Sequence, residues 1–212
     1  MIRHKLQLLG LSVLAGFSLS SLPLFAQDGP PPGAPGGNGP GEPPSQQDAK
    51  ALADAQAAGL AKLDGVKGYG GLEFGSEFSK AKDQLVIEQD RGPLKLYKKK
   101  KESLLIGTAL METILYYYYE DKLYGIAFHT SDGQDSLALK SVFHSAFGPG
   151  EDSIDDGPST IWIAKKVGAL FDLNPSTGES SAFIFDHKLH DAYLNYENTA
   201  NQKAADQLLK GE

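Results

Sequence analysis

The sequence predicts an α+β fold, a mainly antiparallel sheet of about six strands with helices packed on one face. Several short stretches alternate apolar and polar residues, which is typical of half-buried strands. Two amphipathic stretches precede groups of these strands, so the element order is helix then three strands, twice. This order resembles a tandem αβββ arrangement, although no residue-level repeat accompanies it. The 212 residues are 41% apolar, which supports one core and excludes a wholly disordered chain, a collagen and a multi-span membrane protein.

Residues 1–26 have the three regions of a secretory signal sequence. Arg3 and Lys5 supply positive charge, Leu8–Leu22 is apolar, and small residues precede a cleavage site after Ala26. We expect export, giving a periplasmic or secreted protein. The apolar run is shorter than the ~20 residues that span a bilayer, so the mature chain is predicted to have no transmembrane span. Because Leu24 stands where a small residue is preferred, an uncleaved form tethered to the membrane is the alternative.

The negative net charge and the absence of cysteine disfavour or exclude several classes of function. Removal of Arg3 and Lys5 with the signal sequence changes the formal net charge from −7 to −9, which disfavours nucleic acid as a partner. The chain has no cysteine, so disulfides, thiolate metal sites and a thiol nucleophile are excluded. No phosphate-binding loop, dinucleotide fingerprint or zinc-protease motif occurs, and we expect no cofactor.

Two segments separate the signal sequence from the folded part. Residues 27–46 are predicted to be a disordered spacer, because thirteen of the sixteen residues from Gly29 to Pro44 are Gly or Pro. Residues 47–65 are rich in alanine and predict a weakly amphipathic helix. The globular domain is expected over residues 66–196.

The domain is predicted to open with a helix and a strand. Ser76 can cap a helix that carries Phe78, Ala81, Lys82 and Leu85 on one stripe and ends before Gly92-Pro93. Leu94 to Lys100 then alternates as a strand.

A hairpin follows, with strands from Met111 to Glu120 and from Leu123 to Thr130. If Asp121-Lys122 is its loop, one face is core and pairs three sets of residues: Tyr119 with Tyr124, Tyr117 with Ile126, and Leu115 with Phe128. The other face then places the large rings of Tyr118 and Tyr116 over Gly125 and Ala127, where we expect them to be exposed.

The remaining elements are a second helix, three strands and a closing tail. The helix is capped by Asp132 or Asp135 and stops at Gly148-Pro149. The three strands are predicted over Thr160–Lys166, Ala169–Leu173 and Ser181–Asp186. One or two helices close the chain, with residues 197–212 as a helical tail.

These signals together resemble small exported bacterial α+β domains of unassigned function. The likeness rests on Gly71-Leu72-Glu73-Phe74-Gly75 before a Ser-capped start, on the aromatic hairpin, on the helix stop Ala146-Phe147-Gly148-Pro149 and on the strand that holds Trp162. It covers residues from Gly71 to about Phe185. The resemblance implies the fold and an envelope location, and it carries over no functional residues.

Three sets of residues are candidates for function. His187 and His190 lie three apart on a predicted helix between Asp186 and Asp191, so they could share a metal ion, although a solvated helix end is favoured. Lys98, Lys99, Lys100 and Lys101 could grip a phosphate-bearing polymer or an anionic surface, or could simply protect a strand edge. Tyr116 and Tyr118 would make good anchors for a partner if they are exposed, whereas burial under the terminal helices is the structural alternative.

Three functions therefore remain at this stage. The first is a non-catalytic binding module for an envelope protein or polymer, with Tyr116, Tyr118 and the four lysines as contacts. The second is a metal-assisted hydrolase that uses His187, His190 and nearby carboxylates. The third is a structural envelope module whose Pro/Gly spacer sets its distance from the membrane or wall.

Overall fold

The computed structural model describes residues 46–153 and 159–211. The predicted signal sequence and all but the last residue of the predicted spacer lie outside the described residues. Within the described ranges, helices α1, α2 and α3 span Gln46–Asp64, Gly133–Phe147 and His187–Lys210. None of the described helices is apolar over enough residues to cross a bilayer.

The described residues form twelve strands. In chain order they are β1 Gly68–Tyr69, β2 Leu72–Glu73, β3 Leu85–Arg91, β4 Leu94–Lys99, β5 Leu105–Ile106, β6 Ala109–Leu110, β7 Thr113–Tyr119, β8 Lys122–Thr130, β9 Glu151–Ser153, β10 Ser159–Ile163, β11 Val167–Leu173 and β12 Ser180–Asp186. Strands β1 and β2 pair with each other, as do β5 and β6, outside the main sheet.

The main sheet has eight antiparallel strands in the order β3-β4-β7-β8-β12-β11-β10-β9. Two four-stranded meanders therefore meet where β8 pairs with β12, and a helix precedes each meander. The α+β prediction is confirmed, but the sheet has eight strands rather than about six. Each half consequently pairs one helix with four main-sheet strands instead of three.

One side of the sheet, the inner face, packs against α1 and α2. Its core unites the helix residues Leu63, Leu139, Phe143 and Phe147 with inward residues of the strands, including Ile114, Tyr116, Tyr118, Ile126, Phe128, Trp162, Phe171 and Ile184. Asp132 caps α2 by accepting hydrogen bonds from the amides of Gln134 and Asp135 at 2.9 Å each. Gly148, at φ 75°, ends the helix as the sequence predicts.

The alanine-rich helix α1 is fastened to the domain by its C-terminal half. A Cβ on Gly59 would overlap the carbonyl of Phe147, so the glycine lets α1 cross the end of α2 at very close range. At the C-terminal end of α1, an oxygen of Asp64 accepts a hydrogen bond of 2.8 Å from the amide of Lys166. That backbone contact holds the pKa of the Asp64 carboxyl below its usual value.

The opposite side of the sheet, the outer face, packs against the start of α3. Its buried residues are Leu94, Leu96, Tyr119, Tyr124, Ala127, Phe183 and Phe185, and Leu115, Tyr117, Leu189 and Tyr193 lie against them half-buried. The expectation that all helices share one face is therefore wrong. Strand β12 explains the difference, because its inward Ala182 and Ile184 alternate with outward Phe183 and Phe185, so both of its faces are apolar.

The predicted helix after Ser76 is also wrong. Only Phe78–Lys80 form a short 3-10 turn, and β3 follows as an edge strand of the main sheet. Three apolar residues and Lys82 at helical spacing are a weak signal, whereas the β-branched pair Val86-Ile87 and the turn at Gly92, with φ 74°, favour a hairpin with β4. The strand prediction over Leu94 to Lys100 is confirmed.

The hairpin of β7 and β8 exists, but its loop begins one residue earlier than predicted, which shifts the pairing beside the turn by two residues. The loop is Glu120-Asp121, with positive φ of 47° and 60°, so Tyr118 pairs with Leu123. A bulge at Tyr124 then takes back one of these residues, so Tyr117 pairs with Gly125 and Tyr116 with Ile126, one residue from the predicted pairs. A one-residue slip exchanges the faces of a strand, and Tyr116 and Tyr118 consequently point into the inner core.

Three of the four strands in the second half of the sheet are predicted correctly, whereas β9 is not predicted. Strands β10, β11 and β12 lie where the sequence places them, each within a few residues of the expected bounds. The two predicted closing segments form one continuous helix, α3, which begins directly at the end of β12.

Candidate binding surface

Aromatic rings of the outer face meet across β8 because two small residues lie beneath them. Gly125 pairs with Tyr117 on one side and Phe185 on the other, and Ala127 pairs with Leu115 and Phe183. A Cβ on Gly125 would overlap the Phe183 ring. The rings of Tyr117 and Phe183 thus approach to 5.2 Å between centroids, edge to face.

Helix α3 is positioned on this face by its first turn. An oxygen of Asp186 caps the helix by accepting a hydrogen bond of 3.0 Å from the amide of Leu189. One turn later the ring of Tyr193 stacks on Tyr124 at 5.6 Å and meets Tyr119 at 5.8 Å. The hydroxyl of Tyr193 donates to a carboxylate oxygen of Glu197 at 3.0 Å.

The helix covers only part of the outer face. Leu115 and Tyr117 are half-buried, and Tyr196 is 43% exposed although its ring lies 5.9 Å from that of Tyr119. From residue 198 to residue 210, every residue of α3 is exposed. We call the uncovered aromatic and aliphatic part, namely Leu115, Tyr117, Tyr193 and Tyr196, the outer aromatic surface.

His190 lies in the first turn of α3, on the side that packs against the sheet, and is 3% exposed. Its ring packs against Phe185 at 4.4 Å and stacks on Tyr124 at 5.8 Å, and neither of its ring nitrogens has a hydrogen-bond partner. Burial lowers the pKa of His190 to about 4, while the nearby Asp191 carboxylate opposes that shift. The imidazole is therefore neutral at ordinary pH and acts as a packing group.

The hydrolase prediction required a third metal ligand beside His187 and His190. Both imidazoles do lie against Phe185, at 5.3 Å and 4.4 Å between centroids. Across the described ranges, however, no three His, Asp or Glu side chains come together as a metal site. The pair lacks the ligand set that a hydrolytic metal would need.

The structure corrects the expected exposure of Tyr116 and Tyr118. Both rings are 0% exposed and belong to the inner core. The Tyr116 hydroxyl donates a hydrogen bond to Glu102, and burial raises the pKa of that carboxyl. Burial also raises the pKa of Tyr118 to about 12. In this fold neither ring can touch a partner, so both are packing residues.

The four lysines make separate contacts rather than one cationic grip. Lys98 pairs with Glu88 at 2.9 Å, Lys99 donates to the carbonyl of Gly70 at 2.7 Å, and Lys100 donates to the carbonyl of Asp83 at 2.9 Å. Lys101 is exposed. These contacts favour the strand-edge interpretation for Lys98, which lies beside edge strand β3.

Sequence reasoning missed the outer aromatic surface. The signal was present in β12, where Ser181-Ala182-Phe183-Ile184-Phe185 is apolar on both alternating faces and indicates a strand covered on both sides. The predicted placement of Tyr118 over Gly125 and Tyr116 over Ala127 is wrong, because Tyr117 lies opposite Gly125 and Leu115 lies opposite Ala127.

Two open depressions lie on the surface of the described residues. One runs along α3 beside Gln202, and the other lies between the 3-10 turn and the β7–β8 loop. Neither brings a nucleophile and a base together in an enclosed cleft. Comparison with protein-family models, curated proteins and solved structures finds no match to this chain.

Proposed function

We propose that the chain is an exported, non-catalytic binding module that contacts an envelope protein or polymer through the outer aromatic surface. The observation that carries this proposal is the incomplete cover of the outer face. Leu115 and Tyr117 are only half-buried on this face, and Tyr196, whose ring lies 5.9 Å from that of Tyr119, is 43% exposed. Large apolar groups held in place but left uncovered are typical of contact surfaces.

Pre-organisation supports the same proposal. Tyr117 and Tyr193 are fixed by ring contacts with Phe183 and Tyr124 at 5.2 and 5.6 Å, so they lose little conformational freedom when a partner binds. Tyrosine also offers a hydroxyl at the edge of an apolar ring, which suits a partly polar contact. The Pro/Gly spacer would give such a module reach from its point of attachment.

The test is capture of partners from a native envelope extract by the predicted mature chain, which starts at Gln27. Tyr196→Arg places a charge on the outer aromatic surface without removing a core residue. We expect the variant to lose a specific partner that the unchanged protein retains, because a buried, unpaired charge opposes binding.

The matched control is Leu137→Arg on α2, where the replaced leucine is 66% exposed. It alters exposed apolar area as much but leaves the outer face unchanged, so it should capture the same partner as the unchanged protein. Equal losses in both variants, or no partner for any of the three proteins, would contradict the proposal. In that case the structural-module function, tested by shortening the spacer, becomes the better account.

A further inference from the structure

The first turn of α3 buries a histidine among aromatic rings. Within the described ranges, neither ring nitrogen of His190 has a hydrogen-bond partner. Its ring lies 4.4 Å from that of Phe185, 5.8 Å from that of Tyr124 and 6.1 Å from that of Phe183. Buried polar groups are nearly always hydrogen-bonded, so this imidazole is an exception that ring packing alone holds in place.

These surroundings suit the neutral ring of His190 and not the protonated one. An imidazolium has an N–H donor on each ring nitrogen, and a charge buried without partners is strongly unfavourable. Burial therefore lowers the pKa of His190 to about 4, although the Asp191 carboxylate opposes this shift. Because Asp191 is exposed, water screens its charge and it does not replace a buried partner.

Several other ionisable groups lie around this site, and among the described residues none is hydrogen-bonded to His190. The two carboxylates nearest to the helix contact are already engaged, since Glu197 accepts from the Tyr193 hydroxyl and Asp186 accepts from the Leu189 amide. The remaining groups are Tyr124 on β8, Tyr117 on β7, Arg91 on β3 and His187 at the start of α3.

Helix α3 is fastened to the domain at its N-terminal end. It follows β12 without an intervening loop, and the amide of His187 donates a hydrogen bond of 2.9 Å to the carbonyl of Lys166. Beyond this pivot, Tyr193 and Tyr196 meet Tyr119 on the sheet, whereas residues 198–210 are exposed. Release of the first turns therefore leaves the strand pairing of the sheet unchanged.

We propose that α3 is an acid-released cover of the outer face: protonation of His190 detaches the first turns of α3 and uncovers Tyr124, Phe183 and Phe185. Under α3 these three rings are 2%, 4% and 4% exposed, so release adds a large apolar area to the outer face. The inner face stays folded, because His190 is the only buried His, Asp or Glu side chain among the described residues. The proposal concerns the protein alone and does not depend on a partner for the outer aromatic surface.

The pH range of release follows from the two states of His190. The pKa is about 4 under α3 and returns to the ordinary 6.5 when the ring meets water, so the released state binds a proton first as pH falls. Closure is at full strength above pH 6.5, weakens between pH 6.5 and 4, and changes no further below pH 4 through this residue. From pH 7 to pH 5 the ratio of released to closed α3 should rise by about twentyfold.

The experiment measures hydrogen exchange of the predicted mature chain at pH 7 and pH 5, corrected for the intrinsic pH dependence of amide exchange. A helix without tertiary contacts is marginally stable in water, so released α3 exchanges its amides. Protection of residues 191–197 should fall by about twentyfold at pH 5, with a change of less than about twofold in α2. Anilinonaphthalene sulfonate, a dye that binds exposed apolar surface, should bind more strongly at pH 5.

His190→Leu removes the titrating ring, so residues 191–197 should be protected equally at both pH values. His144→Leu is the matched control, because it makes the same substitution at an exposed position of α2 and should keep the response of the unchanged protein. Near-ultraviolet circular dichroism at pH 7 checks that each variant keeps its fold. Equal protection of α3 at both pH values in the unchanged protein, an equal loss in α2, or an unaltered response in His190→Leu would overturn the proposal. None of these measurements involves a partner, so the proposed function is tested separately.

Discussion

The two faces of the sheet are both apolar, but they are covered to different extents. Two helices, α1 and α2, cover the inner face, and Trp162 adds a hydrogen bond of 2.8 Å from its ring nitrogen to the carbonyl of Gly148. In the part of the chain that the structure describes, the first turns of α3 cover the outer face. The difference teaches that the inner face holds the fold, whereas the outer face keeps apolar area available at the border of one helix.

The largest expected effect compares one leucine from each face. Leu139→Ala removes a fully buried inner side chain and should lower the free energy of unfolding by about 2–5 kcal/mol. Leu189→Ala, at the half-buried outer contact of α3, should cost only about 1 kcal/mol. Urea denaturation followed by Trp162 fluorescence measures both values. Equal losses would show that the outer face is as important to the fold as the inner face.

The next effect concerns the close approach of rings across β8. Gly125→Ala adds a methyl group where the Phe183 ring lies, and should cost about 1–3 kcal/mol because the rings must shift. Ala127→Gly, at a neighbouring outer position, removes a methyl group and gives the ring more room. The same denaturation assay applies, and a stability of Gly125→Ala equal to that of the unchanged protein would show that the outer rings are not held in one arrangement.

A pH effect sharpens the comparison further, because His190 lies on the buried side of α3. Its folded-state pKa, about 4, is below the ordinary value of 6.5, so the unfolded chain binds a proton first as pH falls. The stability should therefore decrease from about pH 6.5 downward, by about 2 kcal/mol at pH 5, and level off below pH 4 as far as this residue is concerned. Tyr193, Glu197, Asp191 and His187 are the other titratable groups near this site.

His190→Leu isolates that contribution. The variant replaces an imidazole without hydrogen-bond partners by an apolar side chain of similar size, so the stability difference between it and the unchanged protein should grow as pH falls from 6.5 to 4. Denaturation series at several pH values measure this difference. Parallel curves for the two proteins would mean that His190 is protonated equally in the folded and unfolded chains.

The smallest effect concerns the cap that starts α3. Asp186→Ala removes the acceptor for the Leu189 amide and should cost about 1 kcal/mol. We expect faster hydrogen exchange in α3 with little change in α2. If hydrogen exchange in α2 rises by the same amount, the helices on the two faces unfold together, which would contradict the difference between the faces.

Local chemistry explains which elements the sequence could predict. Asp132 and Gly148 bound α2 through capping rules that act within a few residues, and the alternating patterns of β10 to β12 are local as well. The turn at Glu120-Asp121 escaped prediction, because both residues adopt positive φ although neither is glycine. The bulge at Tyr124 added a second change of register. Exposure of the tyrosines depended entirely on that register.

Nonlocal packing explains why the sequence could not assign the role of His190. The burial of His190 depends on where α3 meets Tyr124 and Phe185, which are distant in sequence or on another element. A pattern of two histidines three apart is the same for a metal pair, a solvated helix end and a buried packing group. Only the tertiary structure separates these interpretations.

The measurement that tests the central claim most directly is site-specific photo-crosslinking in the native envelope. A benzophenone amino acid replaces Tyr196 in one protein and Leu137 in another, both exposed positions on different sides of the domain. The account predicts a discrete crosslinked product at position 196 and none at position 137. Crosslinking at 137 alone, or the same products at both positions, would contradict the assignment of the outer aromatic surface as the contact surface.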